Sequence, residues 1–197
     1  DWQKSRNFSL SANFHGGAEV VNYPWDTVGE QHPLHQWIVK VSREYAELVP
    51  GMRNSTRFPG GITNGYDWYE VNGGMQDWSY YWHNDLQITI ELSNQKWPDY
   101  SQVARYWEEN RQALINFLKN IRQGFGIKSK DKTGLVSINK IEANEKKFVG
   151  TFNFTNGEFY KVLPEGKYQV EVQTRNKTKS LEISIFSRKS PKYIKMQ

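Results

Sequence analysis

The sequence contains no cysteine, so disulfides and thiolate metal ligands are excluded. Histidine is scarce: His15, His32, His35 and His83 are the 4 imidazoles that a metal site could draw on. Long apolar runs are missing too. Mean hydropathy is −0.79, and no stretch approaches the roughly 20 apolar residues of a membrane-crossing helix. Residues 1–14 show no apolar signal segment, so a mature chain or an internal piece of a longer one is expected. Internal repeats and low-complexity segments are also absent from the sequence.

What is plentiful is aromatic. Rings make up 15% of the 197 residues, and 8 of them are Trp, enough to build a substantial core. That length fits one large domain or two small ones. The net charge of +5 is unevenly spread: residues 127–197 carry +8 and residues 1–126 carry −3, which points to two units. The lysines of the second part are scattered among strand-like stretches. They read as a solvated sheet face, and no nucleic-acid partner is expected. Four Asn-x-Ser/Thr triplets, at Asn7, Asn54, Asn153 and Asn176, read as coincidence in an Asn-rich chain.

Periodicity gives a coarse map. Residues 8–14 alternate and predict a strand ending at His15, followed by a glycine pair. Residues 18–33 read as irregular. Residues 34–49 predict a helix with Trp37, Ile38, Val41, Tyr45 and Leu48 on one face and Pro50 as its stop. Residues 51–85 read as a long aromatic, glycine-rich and functional loop, helical in part around Trp78–Trp82. Residues 86–92 (LQITIEL) predict a central strand. Residues 101–122 predict the strongest helix, with Val103, Trp107, Leu114, Phe117 or Leu118, and Ile121 sharing a face and Gly124 and Gly126 as punctuation beyond it. Thereafter 134–141, 147–155, 158–163, 167–174 and 179–187 predict short strands, with turn signals at Asn156-Gly157 and Glu165-Gly166. They suggest an all-β sandwich of about seventy residues.

Several side chains carry possible chemistry. His15 stands where a strand gives way to two glycines, placed either structurally or to offer a ring nitrogen to a metal. His32 and His35 form a weaker candidate pair. Glu91 shares a strand face with Thr89 and Ser93, opposite Ile88, Ile90 and Leu92. A carboxylate there faces water at an edge or floors a cleft as a general base. Asp26 is a turn acid or the floor of a pocket for a Lys or Arg side chain. Tyr69, in a glycine-bounded loop, is an aromatic anchor or a mobile hydrogen-bond donor.

Three segments carry a family resemblance. HGGAEVVNYPWD (15–26), GITNGYDWYEVNGGMQDWSY (61–80) and ITIELSNQKWP (88–98) resemble, in order, the motifs of zinc carboxypeptidases of the carboxypeptidase D/E/N-like group and its bacterial relatives. The resemblance implies a fold and roles. The fold is α/β: residues 1–126 as the C-terminal portion of a mixed-sheet catalytic domain, then residues 127–197 as a transthyretin-like β-sandwich. His15 matches a zinc ligand. Glu91 matches the glutamate that activates the zinc-bound water. Tyr69 matches the tyrosine that closes over the substrate's C-terminal residue. Asp26 matches the acid that pairs with a C-terminal Lys or Arg, and Gln76 lies beside it in the same pocket. The cofactor implied is Zn2+ in a His₂Glu set, as in carboxypeptidase A. The substrates implied are peptide or protein C-termini, and the setting is secreted or periplasmic.

The chain departs from this pattern in one important respect. The first two zinc ligands of the family come from a His-x-x-Glu motif, and none occurs here: Ala18, His35, Ile38 and Leu86 stand three residues after the four histidines. The substrate-clamping arginine of an upstream Asn-Arg stretch is missing as well. The chain alone is therefore expected to be inactive, with the N-terminal half of the domain, or another chain, covering an apolar sheet face left open. Pro24-Trp25-Asp26 also replaces the family's Pro-Phe-Asp. Two other readings stay open: an inactive relative that binds peptides, and a Trp-rich carbohydrate-binding sandwich. The second is disfavoured because every Trp lies within residues 1–107.

Overall fold

Strand β4 (Leu86–Ser93) organises the first half of the chain. Its period of two sends Leu86, Ile88 and Ile90 to one side, where all three are buried, and Gln87, Thr89, Glu91 and Ser93 to the other. Truncating any of these aliphatics to alanine costs about 2–5 kcal/mol, so they fix the strand's face. β4 pairs in parallel with β1 (Leu10–His15) and antiparallel with β2 (Ala18–Tyr23), and β2 pairs in parallel with β3 (Ile62–Asn64). The order is β1-β4-β2-β3, a mixed sheet with β4 inside it. The register sets His15 opposite Glu91 and Asn22 opposite Thr89. β1 is an edge strand, with no second neighbour among the described residues.

The computed structural model describes residues 2–143, 145–186 and 191–196, the side chain of Lys4 excepted. They fall into two units, residues 1–120 and 121–197. In the first, helix α1 (His35–Ala46) buries Trp37, Ile38, Val41 and Tyr45 as its spacing predicts, and it packs on β2. Pro50 opens the short helix α2 (Pro50–Arg53) as well as following α1, because a proline at the first helical position loses no hydrogen bond. Leu48, expected on the buried face, is exposed.

The expected irregular stretches hold more structure than their composition suggests. Residues 18–23 are β2, and 51–85 contain β3, α3 (Gly65–Trp68) and α4 (Met75–His83). Asn64 caps α3 by accepting the Asp67 N–H at 3.3 Å. Asn84 ends α4 in the left-handed region, at φ 60°.

Helix α5 (Val103–Lys119) has the expected position and keeps Phe117 of the expected buried face, with the rest rotated. Asn110, Ala113 and Phe117 turn inward, whereas Val103, Trp107 and Leu118 are exposed. The Tyr45 hydroxyl donates to Asn110 Oδ1 at 2.9 Å, and this buried bond between α1 and α5 fixes the rotation. Over β4 the apolar sheet face is covered: Leu86, Ile88 and Ile90 are almost wholly buried. What stays open is the β1 edge, with Phe14 half exposed.

The second unit is all-β. β6 (Gly134–Glu142), β7 (Glu145–Phe154), β9 (Gly166–Thr174) and β10 (Thr178–Ile185) form one antiparallel sheet in the order β10-β9-β6-β7. β5 (Gly124–Ser129), β8 (Glu158–Val162) and β11 (Lys192–Met196) form another, in the order β11-β5-β8. Tyr168, Val170 and Val172 of β9 alternate inward. Asn156 and Gly157, both at positive φ, make the expected tight turn. β5 and β11 escaped the sequence reading. Gly124 and Gly126 belong to β5, not to a helix end; a Cβ at Gly124 would collide with the Lys161 carbonyl, and one at Gly126 with the Tyr193 ring. No helix among the described residues is long and apolar enough to cross a membrane.

Candidate active site

The polar face of β4 gathers the site. Glu91 is 5% exposed, and a carboxylate so deep needs a partner. It has one in His15, its register partner on β1, whose Nδ1 lies 3.0 Å from each carboxylate oxygen. The His15 side chain itself is 58% exposed. The imidazole thus stands at the mouth and the carboxylate at the floor. Below them, Asn13 donates to Gln87 Oε1 at 2.8 Å, and Gln87 donates to Ser11 Oγ at 2.9 Å, which knits β1 to β4 along the same face.

A second cluster surrounds Asp26, which follows β2 and is 6% exposed. Its Oδ1 accepts from Gln76 Nε2 at 2.7 Å and from Asn22 Nδ2 at 3.2 Å. Its backbone is held separately. The Asp77 carboxylate accepts the Asp26 N–H at 3.0 Å and the Thr27 N–H at 2.9 Å. Thr89 Oγ1 donates to Gln76 Oε1 at 3.0 Å, so the β4 face reaches this cluster as well. Gly65 and Gly74 flank the acid: a Cβ at Gly65 would collide with Asp26 Oδ1, and one at Gly74 would sit 3.1 Å from Oδ2. Burial, reinforced by the nearby Asp77 carboxylate, pushes the Asp26 carboxyl up to about 6, against the lowering pull of the Asn22 and Gln76 hydrogen bonds.

The structure brings His15 together with Glu91, and Asp26 together with Gln76. Tyr69 stands apart: its ring is exposed, packs edge-on to Trp68 at 5.0 Å, and bonds none of the other four. His32 and His35 stand in different settings. His32 is buried, accepts the Leu34 N–H through Nδ1 at 3.0 Å, and packs on Trp25 and Tyr80, while His35 opens α1. Sequence reasoning missed Asn22, Asp77, Gly65 and Gly74. Their roles depend on contacts made across 4 to 51 residues of chain.

Residues 1–113 match the zinc carboxypeptidase family, and the chain belongs to it. It is similar to mouse carboxypeptidase D, with 35% identity over 192 residues that cover 88% of this chain and 14% of that protein. Mouse carboxypeptidase M is 35% identical over 190 residues, covering 87% of this chain and 43% of that protein. The human carboxypeptidase N catalytic chain is 41% identical over 139 residues, covering 62% and 30%. The chain thus spans less than half the length of each of these relatives.

The family uses zinc. Of the implied ligand set, His15 is present, with Glu91 beside it. Among the described residues, no three His, Cys, Asp or Glu side chains are placed to hold a metal together. These residues do not complete a zinc site.

Proposed function

We propose that this chain forms one wall of the active site of a metallocarboxypeptidase that removes the C-terminal residue of peptides, with a preference for Lys or Arg. The observation that carries this reading is the single polar face of β4, which meets His15 through Glu91 and the Asp26 pocket through Thr89 and Gln76. The remaining zinc ligands, in this reading, come from a part of the protein outside these 197 residues, or from another chain that pairs along the β1 edge. Were those ligands supplied, His15 would help to hold a zinc ion that would contribute Lewis acidity at the scissile carbonyl.

The chain's own residues do the rest. His15 contributes a ring nitrogen. Glu91 takes a proton from the attacking water and passes it to the departing amine nitrogen, so the peptide bond breaks with a carboxylate and an amine as products. Tyr69, exposed at the surface, donates a hydrogen bond at the substrate's C-terminal end. Asp26 meets a cationic side chain, and the donors of Asn22 and Gln76 keep its carboxyl ionised at neutral pH despite its burial. The all-β unit, with its four- and three-stranded sheets, supports the transthyretin-like reading. The test is release of C-terminal Arg and Leu from matched peptides by the intact parent protein. Arg released faster than Leu supports the reading, and no release at all contradicts it.

A further inference from the structure

We infer that Thr89 is a positioning residue for specificity: its hydroxyl holds the Gln76 amide with the NH₂ group turned toward Asp26. The inference rests on the proposed reading of Asp26 as the acid that meets the substrate's C-terminal side chain. Thr89 Oγ1 donates to Gln76 Oε1 at 3.0 Å, and Gln76 Nε2 donates to Asp26 Oδ1 at 2.7 Å. Gln76 is 1% exposed, so bulk water replaces neither partner.

A carboxamide is nearly symmetric in shape but not in polarity. Turned half a rotation about its last bond, Gln76 would set Oε1 against Asp26 Oδ1, acceptor against acceptor. The Thr89 proton opposes that turn because it needs the carbonyl on its own side. Without the hydroxyl, Oε1 becomes a buried acceptor with no donor, and the amide is released to seek one elsewhere. Asp26 then loses a buried donor to its carboxylate and holds its negative charge less well. Asp77 is the charged group facing Asp26, and its repulsion acts in the same direction.

The placement is not incidental to the fold. Asn22, which donates to the same Oδ1, is the register partner of Thr89. At one level of the sheet, β2 thus reaches Asp26 directly and β4 reaches it through Gln76. Two residues along the same face of β4 stands Glu91. The strand that carries the proposed base therefore also sets the hydrogen-bond polarity of the specificity pocket.

The experiment compares wild type, Thr89→Val, Thr89→Ala and Thr89→Ser in the intact parent enzyme. It measures kcat/KM for peptides ending in Arg or Leu from pH 5 to 8, together with melting temperatures. Loss of the hydroxyl in T89V and T89A lowers the Arg-to-Leu ratio about tenfold, mainly through KM for Arg. It also moves to higher pH the point at which the Arg preference fades. T89S restores both. The two hydroxyl-free variants differ in bulk, so agreement between them separates the lost hydrogen bond from a packing change. T89V and T89A that keep the wild-type ratio and pH midpoint, or that lose Arg and Leu activity equally, overturn the inference while leaving the Asp26 reading intact. A wild type without Arg preference overturns the Asp26 reading and the role of Thr89 with it.

Discussion

His15 and Glu91 face each other across a pair of parallel strands, with the imidazole Nδ1 3.0 Å from both oxygens of the carboxylate. Seventy-six residues of chain separate them, and the strand register brings them together. Glu91 lies at the floor of the site, shielded on both sides by neighbouring strands. A carboxylate in such a place is costly to bury without a partner, and its retention there fits a task at the bond being cut. Replacing Glu91 with Gln keeps the shape and removes the proposed base. In the intact parent enzyme, E91Q should lower kcat by about 10²–10⁴-fold while zinc content by elemental analysis stays at the wild-type level. His15→Ala should lower zinc content itself.

In the proposed reading, Asp26 makes the substrate preference depend on pH. Its carboxyl is pushed up to about 6 by burial and by Asp77, so it is charged at pH 7.5 and largely neutral at pH 5. The preference for C-terminal Arg over Leu should therefore fade as pH falls through about 6. For folding the sign is opposite to that of an ion-paired acid. A carboxyl raised above its unfolded value binds its proton more tightly in the native state, so its contribution to stability improves as pH falls from about 6 toward 4. Asp26→Asn should melt above wild type at neutral pH, with the difference shrinking by pH 4. It should also cost about 2–5 kcal/mol of Arg discrimination, read from paired kcat/KM values.

Gly65 is required by contact, not by backbone conformation. A methyl group there would collide with Asp26 Oδ1, and the buried carboxylate, held by Gln76 and Asn22, has little room to yield. Gly65→Ala should abolish most of the Arg preference and lower stability by about 1–3 kcal/mol, measured by urea denaturation. Gly60 is the contrasting control: a Cβ there would meet nothing within 4 Å, but its φ is 72°. Gly60→Ala should cost stability and leave the preference unchanged.

Tyr69 separates function from folding. Its ring is exposed and its hydroxyl bonds none of the other site residues, so Tyr69→Phe should move stability by no more than about 0.5 kcal/mol. In the intact enzyme the same change should raise KM for peptides, because the donor proposed for the substrate's C-terminal end is gone. An unchanged KM would remove Tyr69 from the site.

The site was legible in the sequence where a motif carries its own chemistry, and illegible where partners lie far apart in the chain. The alternation of Thr89, Glu91 and Ser93 against Ile88, Ile90 and Leu92 marks the polar face of β4 unaided. Val20 and Val21 of β2 are both buried, so that interior strand has no alternation to read. The α5 face was misjudged because apolar spacing favours Trp107, whereas a buried hydrogen bond from Tyr45 pulls Asn110 inward. Gln76 could be placed near Asp26 by resemblance. Its second bond, to Thr89, depends on how α4 settles over β4, and sequence spacing does not encode that.

In the proposed reading, this chain holds one wall of a zinc carboxypeptidase site and needs residues beyond its own to complete it. The most direct measurement compares this 197-residue chain with the intact parent protein, each dialysed against zinc, for bound metal and for release of C-terminal Arg from a peptide. The expected result is about one zinc per molecule, as for a single catalytic zinc site, and steady release for the parent, with neither for the chain alone. A purified chain that binds one zinc tightly and releases Arg without added protein would contradict it.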